Sequence, residues 1–175
     1  MGSNYRVLCR GRKLVLGQII DRIKGEEKVY DALIHPGAVV IVAIKDKKEV
    51  LIERQYRPII GSWIYELPAG TIEEGEEPST TAERELLEET GYKAGKMEYL
   101  GWFYTSPGTS TEVIHVFLAK DLVRVSNPMQ ELDELIEIKW MAIDDVWRLI
   151  SKGVIVDAKT IVALSLYNRK VELAQ

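Results

Sequence analysis

The chain is 175 residues long, 46% hydrophobic and 29% charged, which suits one domain with a sizeable core and is too short for two generous ones. Its formal net charge of −4 gives no general reason to bind nucleic acid or an anionic membrane, so an anionic substrate would need a basic pocket or metal ions. A single cysteine, Cys9, excludes an intramolecular disulfide, and the sequence holds no Cys/His cluster suited to structural zinc.

The opening MGSNYRVLCRGRK lacks the apolar centre of a signal peptide. The longest apolar run, Ala38 to Ile44, is about a third of what a membrane-spanning helix needs. A cytoplasmic protein with no membrane partner is expected. Strand signals dominate the first half: YRVLCR, KLVLGQII and KVYDALI are short, apolar-rich and separated by Gly or charge. GAVVIVAI reads as a buried strand, followed by the turn-like KDKKE and a second strand, VLIERQYR. The first helical register begins after Pro78, where Ser79 or Thr80 can cap, and Thr81 to Thr90 contains no Gly or Pro. Gly91 can end that helix in a left-handed conformation. Three more strands, MEYLGWFYTS, TEVIHVFLAKDL and LIEIKWMAI, precede two helices, Ile143 to Ser151 and Asp157 to Arg169, the second opening on a capping aspartate. This order predicts one mixed α/β domain over residues 1–175 and leaves the strand pairing open.

Residues 70–92, GTIEEGEEPSTTAERELLEETGY, gather eight glutamates against one cation, Arg84. Glu85, Glu88 and Glu89 stand at i, i+3 and i+4, so they share one helix face and can converge on one point. Ala82 and Leu86 fall on a neighbouring face suited to packing on a sheet. A solvated acidic helix is the plain alternative, but such helices interleave Lys four residues from Glu, and none stands between Glu85 and Glu89. Each like-charge pair costs roughly 0.2–0.5 kcal/mol, which divalent cations would offset. Mg²⁺ prefers carboxylate oxygens and shares its shell with substrate phosphates. The chemistry this points to is metal-assisted attack on a phosphate-containing substrate.

The spacing goes further. Gly70, five residues, Glu76, seven residues, then Arg84-Glu85-Leu86-Leu87-Glu88-Glu89-Thr90-Gly91-Tyr92 resembles the signature of the Nudix hydrolases position for position. Only Tyr92 departs, where an aliphatic residue is commoner. The resemblance implies a Nudix α/β/α sandwich with a mixed β-sheet plus N-terminal antiparallel strands, the box at 70–92 forming a loop, a helix and a loop. It implies Glu85, Glu88 and Glu89 as ligands of Mg²⁺ or Mn²⁺, joined by the backbone carbonyl of Ala69, with Glu88 and Glu89 also catalytic. Arg84 would serve the catalytic helix by bracing it to Glu76. Arg84 falls about 100° round the helix from Glu85, off the metal face, and a guanidinium can fork onto a carboxylate.

The flanks resemble the ADP-ribose pyrophosphatase group within that family. ERQYRPIIGSWIYELPAG leads into the box, TSPGTSTE follows it with Pro107 fifteen residues past Tyr92, and WMAIDDVWRLISKGVIVDAKT continues the likeness. The implied substrate is a nucleoside diphosphate sugar, ADP-ribose first, with GDP-mannose or a UDP-sugar as alternatives and a non-catalytic nucleotide-binding module as the rival of another class. Arg57 reads either as a surface residue ending a strand or as a contact to a substrate phosphate. Trp63 and Tyr65 alternate along an extended segment, which sends one to the core and the other outward; Trp63 reads first as core packing, with stacking on adenine as the alternative. Pro107 and Gly108 could form a plain turn, and Glu112 could meet the terminal ribose or simply face solvent. His35 and His115 read as packed. The general base falls in QELDELIE (Gln130 to Glu137), with Glu134 ranked before Glu131, and Glu137 already in the next strand. A homodimer formed through residues 1–36 is implied by the resemblance alone.

Overall fold

Ala38–Lys45, which we call β4, is buried along its length except at Lys45. Its side chains serve two cores in alternation. Val40, Val42 and Ile44 enter one hydrophobic cluster, and Val39, Ile41 and Ala43 enter another. A strand has a period of two, so a continuous apolar run means that both faces of the sheet are covered. The computed structural model describes residues 5–46, 48–129 and 135–173 and shows what covers them.

The elements preceding β4 are β1 (Tyr5–Arg10), β2 (Val15–Ile23) and β3 (Glu26–Ile34), which form an antiparallel sheet of their own in the order β1-β2-β3. After β4 come β5 (Glu49–Arg57), β6 (Ser62–Glu66), β7 (Ala69–Thr71), helix α1 (Pro78–Thr90), β8 (Tyr92–Tyr104), β9 (Val113–Arg124), β10 (Ile136–Ala142), α2 (Ile143–Ser151) and α3 (Ala158–Glu172). The central sheet runs β10-β5-β4-β9-β8, with β6 paired to β5 and β7 to β4. β4 and β9 are parallel, and the other pairs are antiparallel, so the sheet is mixed.

Helix α1 lays Ala82 and Leu86 into the cluster of Val39 and Ile41, as their positions one turn apart predict. Val146 of α2 and Ala163, Leu164 and Tyr167 of α3 close the opposite face. The result is the expected α/β/α sandwich with N-terminal antiparallel strands. Two short strands, β6 and β7, were not legible as strands. Their identity depends on pairing with β5 and β4, which local pattern does not reveal. Helix α1 also begins two or three residues earlier than a cap at Ser79 or Thr80 implies. Its N-cap is Glu77, with no side-chain cap, and Pro78 takes the first turn, where a missing N–H costs nothing. Gly91 ends it at φ 75°, and its N–H reaches Leu87 O at 2.8 Å. Among the described residues, no helix is long and apolar enough to cross a membrane.

Candidate active site

The acidic face of α1 is held by one guanidinium. Arg84 donates from Nε and Nη2 to Glu76 at 3.1 and 3.0 Å, and Nη2 also approaches Thr71 O at 3.3 Å. The hydrogen bond from Arg84, helped by those from Thr81 and the Glu73 N–H, outweighs burial and lowers the pKa of the Glu76 carboxyl to about 2. The expected brace is present. Arg84 also serves the acidic face, because Nη1 lies 2.8 Å from Glu85 and 3.0 Å from Glu88. Glu88 stands one turn on, at i+4, so it is a helical neighbour of Arg84 although Glu85 is about 100° away.

The three box carboxylates share a face but do not meet at a point in this conformation. Glu85 and Glu88 turn to Arg84, while the buried Glu89 accepts from the backbone N–H of Ala69 at 3.0 Å. Accordingly, no cluster of three or more His, Cys, Asp or Glu side chains is assembled for a metal among the described residues. The donor set still suits a hard divalent cation, since three carboxylates lie within two turns of helix beside the carbonyl-bearing strand residue Ala69. Gly70 makes this approach possible. A Cβ there would stand 1.9 Å from Cδ and Oε1 of Glu85, so the box glycine leaves the space that Glu85 occupies.

The segment entering the box is tied at four consecutive residues. Glu66, 1% exposed, takes Arg57 Nε and Nη2 on its two oxygens at 2.7 Å each, and also pairs with Lys159. Burial alone would raise its carboxyl, but the Arg57 hydrogen bonds and the Lys159 charge outweigh burial and hold it below the usual range. Leu67 N–H donates to Thr160 Oγ1 at 2.9 Å, Pro68 O accepts from Ile41 N–H at 2.8 Å, and Ala69 N–H meets Glu89. Arg57 is therefore not a bare strand-end arginine. Its fork on Glu66 leaves Nη1 unused by that carboxylate, and Glu89 lies close enough to help raise its pKa.

The remaining candidates divide by location. Trp63 and Tyr65 lie two apart on β6 and so share a face, correcting the expectation that alternation separates them. Tyr65 packs on the core, whereas Trp63 is 37% exposed because it lies past the core's edge. The Arg54 guanidinium sits 4.4 Å from the Trp63 ring centroid and Tyr56 5.7 Å. Pro107 is exposed in the turn between β8 and β9. That turn is fastened to β3 by Leu33 N–H to Thr109 O and Thr111 N–H to Leu33 O, at 2.9 and 3.0 Å. Glu112 accepts from Thr105 Oγ1 at 2.7 Å and stands 3.5 Å from His35 Nε2, so it is engaged rather than simply solvated. His35 takes Gly37 N–H on Nδ1, and burial lowers His115. Glu137 is on β10 as expected, while Glu131 and Glu134 lie outside the described residues.

Sequence reasoning assigned no role to Glu66, Lys159 or Thr160. The nearby Asp157 is the helix cap its position predicts, accepting Thr160 N–H at 3.0 Å. Lys159 and Thr160, two and three residues further on, carry no separate signal, because their partners lie 93 positions away. A cavity of about 930 Å³ lies past the last paired residues of β4 and β9, beside Trp140 and Tyr167, and among the described residues none of the box glutamates lines it. Its Lys120 and Lys170 are both committed to Glu98.

A mixed sheet sandwiched between helices, with a glutamate-lined helix after a glycine on one face, defines a Nudix domain. The chain belongs to that family: the NUDIX domain model matches residues 34–164. It is 40% identical over 148 residues to an ADP-ribose pyrophosphatase of Bacillus subtilis, covering 83% of this chain and 80% of the relative. A methanol dehydrogenase activator of Bacillus methanolicus is 38% identical over 141 residues, 80% of this chain and 76% of that one. A GDP-mannose pyrophosphatase of Cronobacter sakazakii is 34% identical over 151 residues, 81% and 77% of the two chains. The fold matches a solved structure described as an ADP compounds hydrolase, with a TM-score of 0.81 at 23% identity, over 97% of this chain and 92% of that one. Nudix hydrolases are generally divalent-metal dependent.

Proposed function

We propose that this chain hydrolyses the diphosphate linkage of ADP-ribose, giving AMP and ribose 5-phosphate. The observation that carries the substrate is the 40% identity, along most of both chains, to a protein named ADP-ribose pyrophosphatase. The whole chain acts as one Nudix unit, with Glu85, Glu88, Glu89 and the Ala69 carbonyl holding Mg²⁺ or Mn²⁺. The metal supplies neutralisation of the diphosphate and a water acidic enough to attack at neutral pH. The glutamates supply hard oxygen donors, and Arg84 exchanges its hold on Glu85 and Glu88 for Glu76 alone. Arg57, fixed from behind by Glu66, presents Nη1 to a substrate phosphate. Trp63 offers a ring face to adenine, Pro107 shapes the far wall, and Glu112 addresses the terminal ribose. A glutamate of the 130–134 run, Glu134 first, takes the proton from the attacking water.

We place the protein in the cytoplasm as a homodimer. The three-stranded sheet supports the second point, since Ile20 and Val29, paired across β2 and β3, are 43% and 51% exposed, apolar surface that a second subunit would cover. Sedimentation should then give twice the 19.9 kDa chain mass. GDP-mannose is the second reading, favoured by the 34% identical relative. Product analysis with Mg²⁺ on ADP-ribose, GDP-mannose and UDP-glucose separates them: ADP-ribose should have the highest kcat/KM, and equal or better cleavage of another would remove the substrate assignment.

A further inference from the structure

Helix α3 lies across the sheet from α1, yet its first turn reaches the box. Thr160, 0% exposed, accepts Leu67 N–H on Oγ1 at 2.9 Å and donates from the same oxygen to Asp157 Oδ2 at 2.7 Å. Lys159 pairs with Asp157 Oδ1 at 3.0 Å and with the buried Glu66. Both contacts fall on the segment whose next residues, Pro68 and Ala69, bond Ile41 N–H and the Glu89 carboxylate. The path from α3 to Glu89 thus runs through one buried ion pair and the peptide units on either side of the Leu67–Pro68 bond. No step in it is an exposed side chain free to compensate for another.

We infer that Lys159 and Thr160 are positioning residues for the box: through Glu66 and Leu67 they set the height of Ala69, and hence the place of Glu89 and of the Ala69 carbonyl. The physical reason is geometric. Carboxylates that hold a metal are themselves held by outer hydrogen bonds, and removing an outer partner typically costs about 10–100-fold in metal affinity or activity. Glu66 has a second consequence in the same place, because it also aims Arg57. One buried carboxylate therefore fixes an arginine on its strand side and the entry strand on its helix side, with Lys159 keeping it there when Arg57 turns to a ligand.

This inference rests on Glu89 being a metal ligand, and the test separates the two. Mn²⁺ binding, read from the free-ion electron paramagnetic resonance signal without substrate, is measured for wild type, Glu89→Gln, Thr160→Val, Thr160→Ser, Lys159→Met and Lys159→Arg. Kinetics with ADP-ribose follow on the same set. Thr160→Val keeps the buried volume and loses the hydroxyl; it should weaken Mn²⁺ about tenfold and lower kcat. Thr160→Ser should stay within about twofold of wild type, since the hydroxyl remains. Lys159→Met should lower kcat and raise KM together, because Arg57 is loosened too, with Lys159→Arg restoring most of both. Should Thr160→Val not fold, the Lys159 pair decides alone. If Glu89→Gln weakens Mn²⁺ while Thr160→Val and Lys159→Met lower only thermal stability, the positioning role is wrong and the metal assignment stands. If Glu89→Gln itself leaves Mn²⁺ binding unchanged, both are wrong.

Discussion

Arg84 places Nε and Nη2 on Glu76 at 3.1 and 3.0 Å while its Nη1 lies between Glu85 and Glu88 at 2.8 and 3.0 Å. One guanidinium thus braces the loop and offsets part of the charge of the acidic face. Replacing it by lysine keeps the charge but not the fork. Arg84→Lys should lower Tm without metal by about 2–4 °C, the shift about 1 kcal/mol gives at this chain length, since the group is only partly buried. Mg²⁺ should restore more of the loss in the variant than it adds to wild type, because a ligand bound only by the native state stabilises it. Differential scanning calorimetry with and without Mg²⁺ reads both; an equal Mg²⁺ increment in the two proteins would show that Arg84 does not shield the carboxylates.

Gly70→Ala probes the space that Glu85 fills. The new methyl would meet the Glu85 side chain at 1.9 Å, and a flexible side chain can move away. Stability should therefore change by less than about 1 kcal/mol, while Mn²⁺ affinity and kcat fall about tenfold or more because the carboxylate is displaced. Calorimetric Tm set beside Mn²⁺ titration distinguishes this from general unfolding. A large drop in Tm with intact metal binding would contradict it.

Glu66 is a buried carboxylate between two cations. Glu66→Gln leaves Arg57 and Lys159 facing a neutral amide, and breaking a buried pair from one side costs about 3–5 kcal/mol. Arg57 is 40% exposed, so water compensates in part and a loss near the lower end, about 3 kcal/mol, is expected. Urea denaturation with an unchanged m-value would check it, and a loss under about 1 kcal/mol would show that the pair is not desolvated.

Away from the site, Glu98 accepts from Lys170, Lys96 and Lys120, and those hydrogen bonds hold its carboxyl well below the usual range. A depressed pKa gives stability that is complete above the unfolded value, about 4.3, and is lost as pH falls through the folded value. The three lysines are 40–61% exposed, so the effect is small. Glu98→Gln should lower Tm by about 2 °C at pH 7, and the gap should narrow below about pH 4. A gap that stayed constant into acid would mean the ammonium groups contribute nothing through charge.

Much of this architecture was legible because its signals are local. Ala38 to Ile44 announced a doubly covered strand by having no polar interruption, and Ala82 with Leu86 announced the buried stripe of α1. The box was legible by spacing, since Glu85, Glu88 and Glu89 can share a face only on a helix. Pairing was not legible: β7 is three residues long, and its register against Val39 and Val40 depends on a chain segment 30 residues away. The same limit hid the clamp at Glu66, whose two cations come from β5 and α3. Arg84 differs for another reason: its angle to Glu85 is about 100°, but Glu88 at i+4 is a neighbour on the helix surface, and the guanidinium lies between the two. Trp63 was misjudged for a different reason: its exposure is set by where the core stops along β6, which no periodicity records.

The most direct measurement is single-turnover hydrolysis of ADP-ribose with Mg²⁺ by wild type and Glu89→Gln, with products separated by chromatography and Tm recorded for both. The account predicts AMP and ribose 5-phosphate in equal amounts from wild type. It also predicts a fall of at least about tenfold in the rate for Glu89→Gln, equivalent to roughly 1.4 kcal/mol of barrier, with both proteins folded. A Glu89→Gln enzyme that still cleaves ADP-ribose at close to the wild-type rate would contradict it.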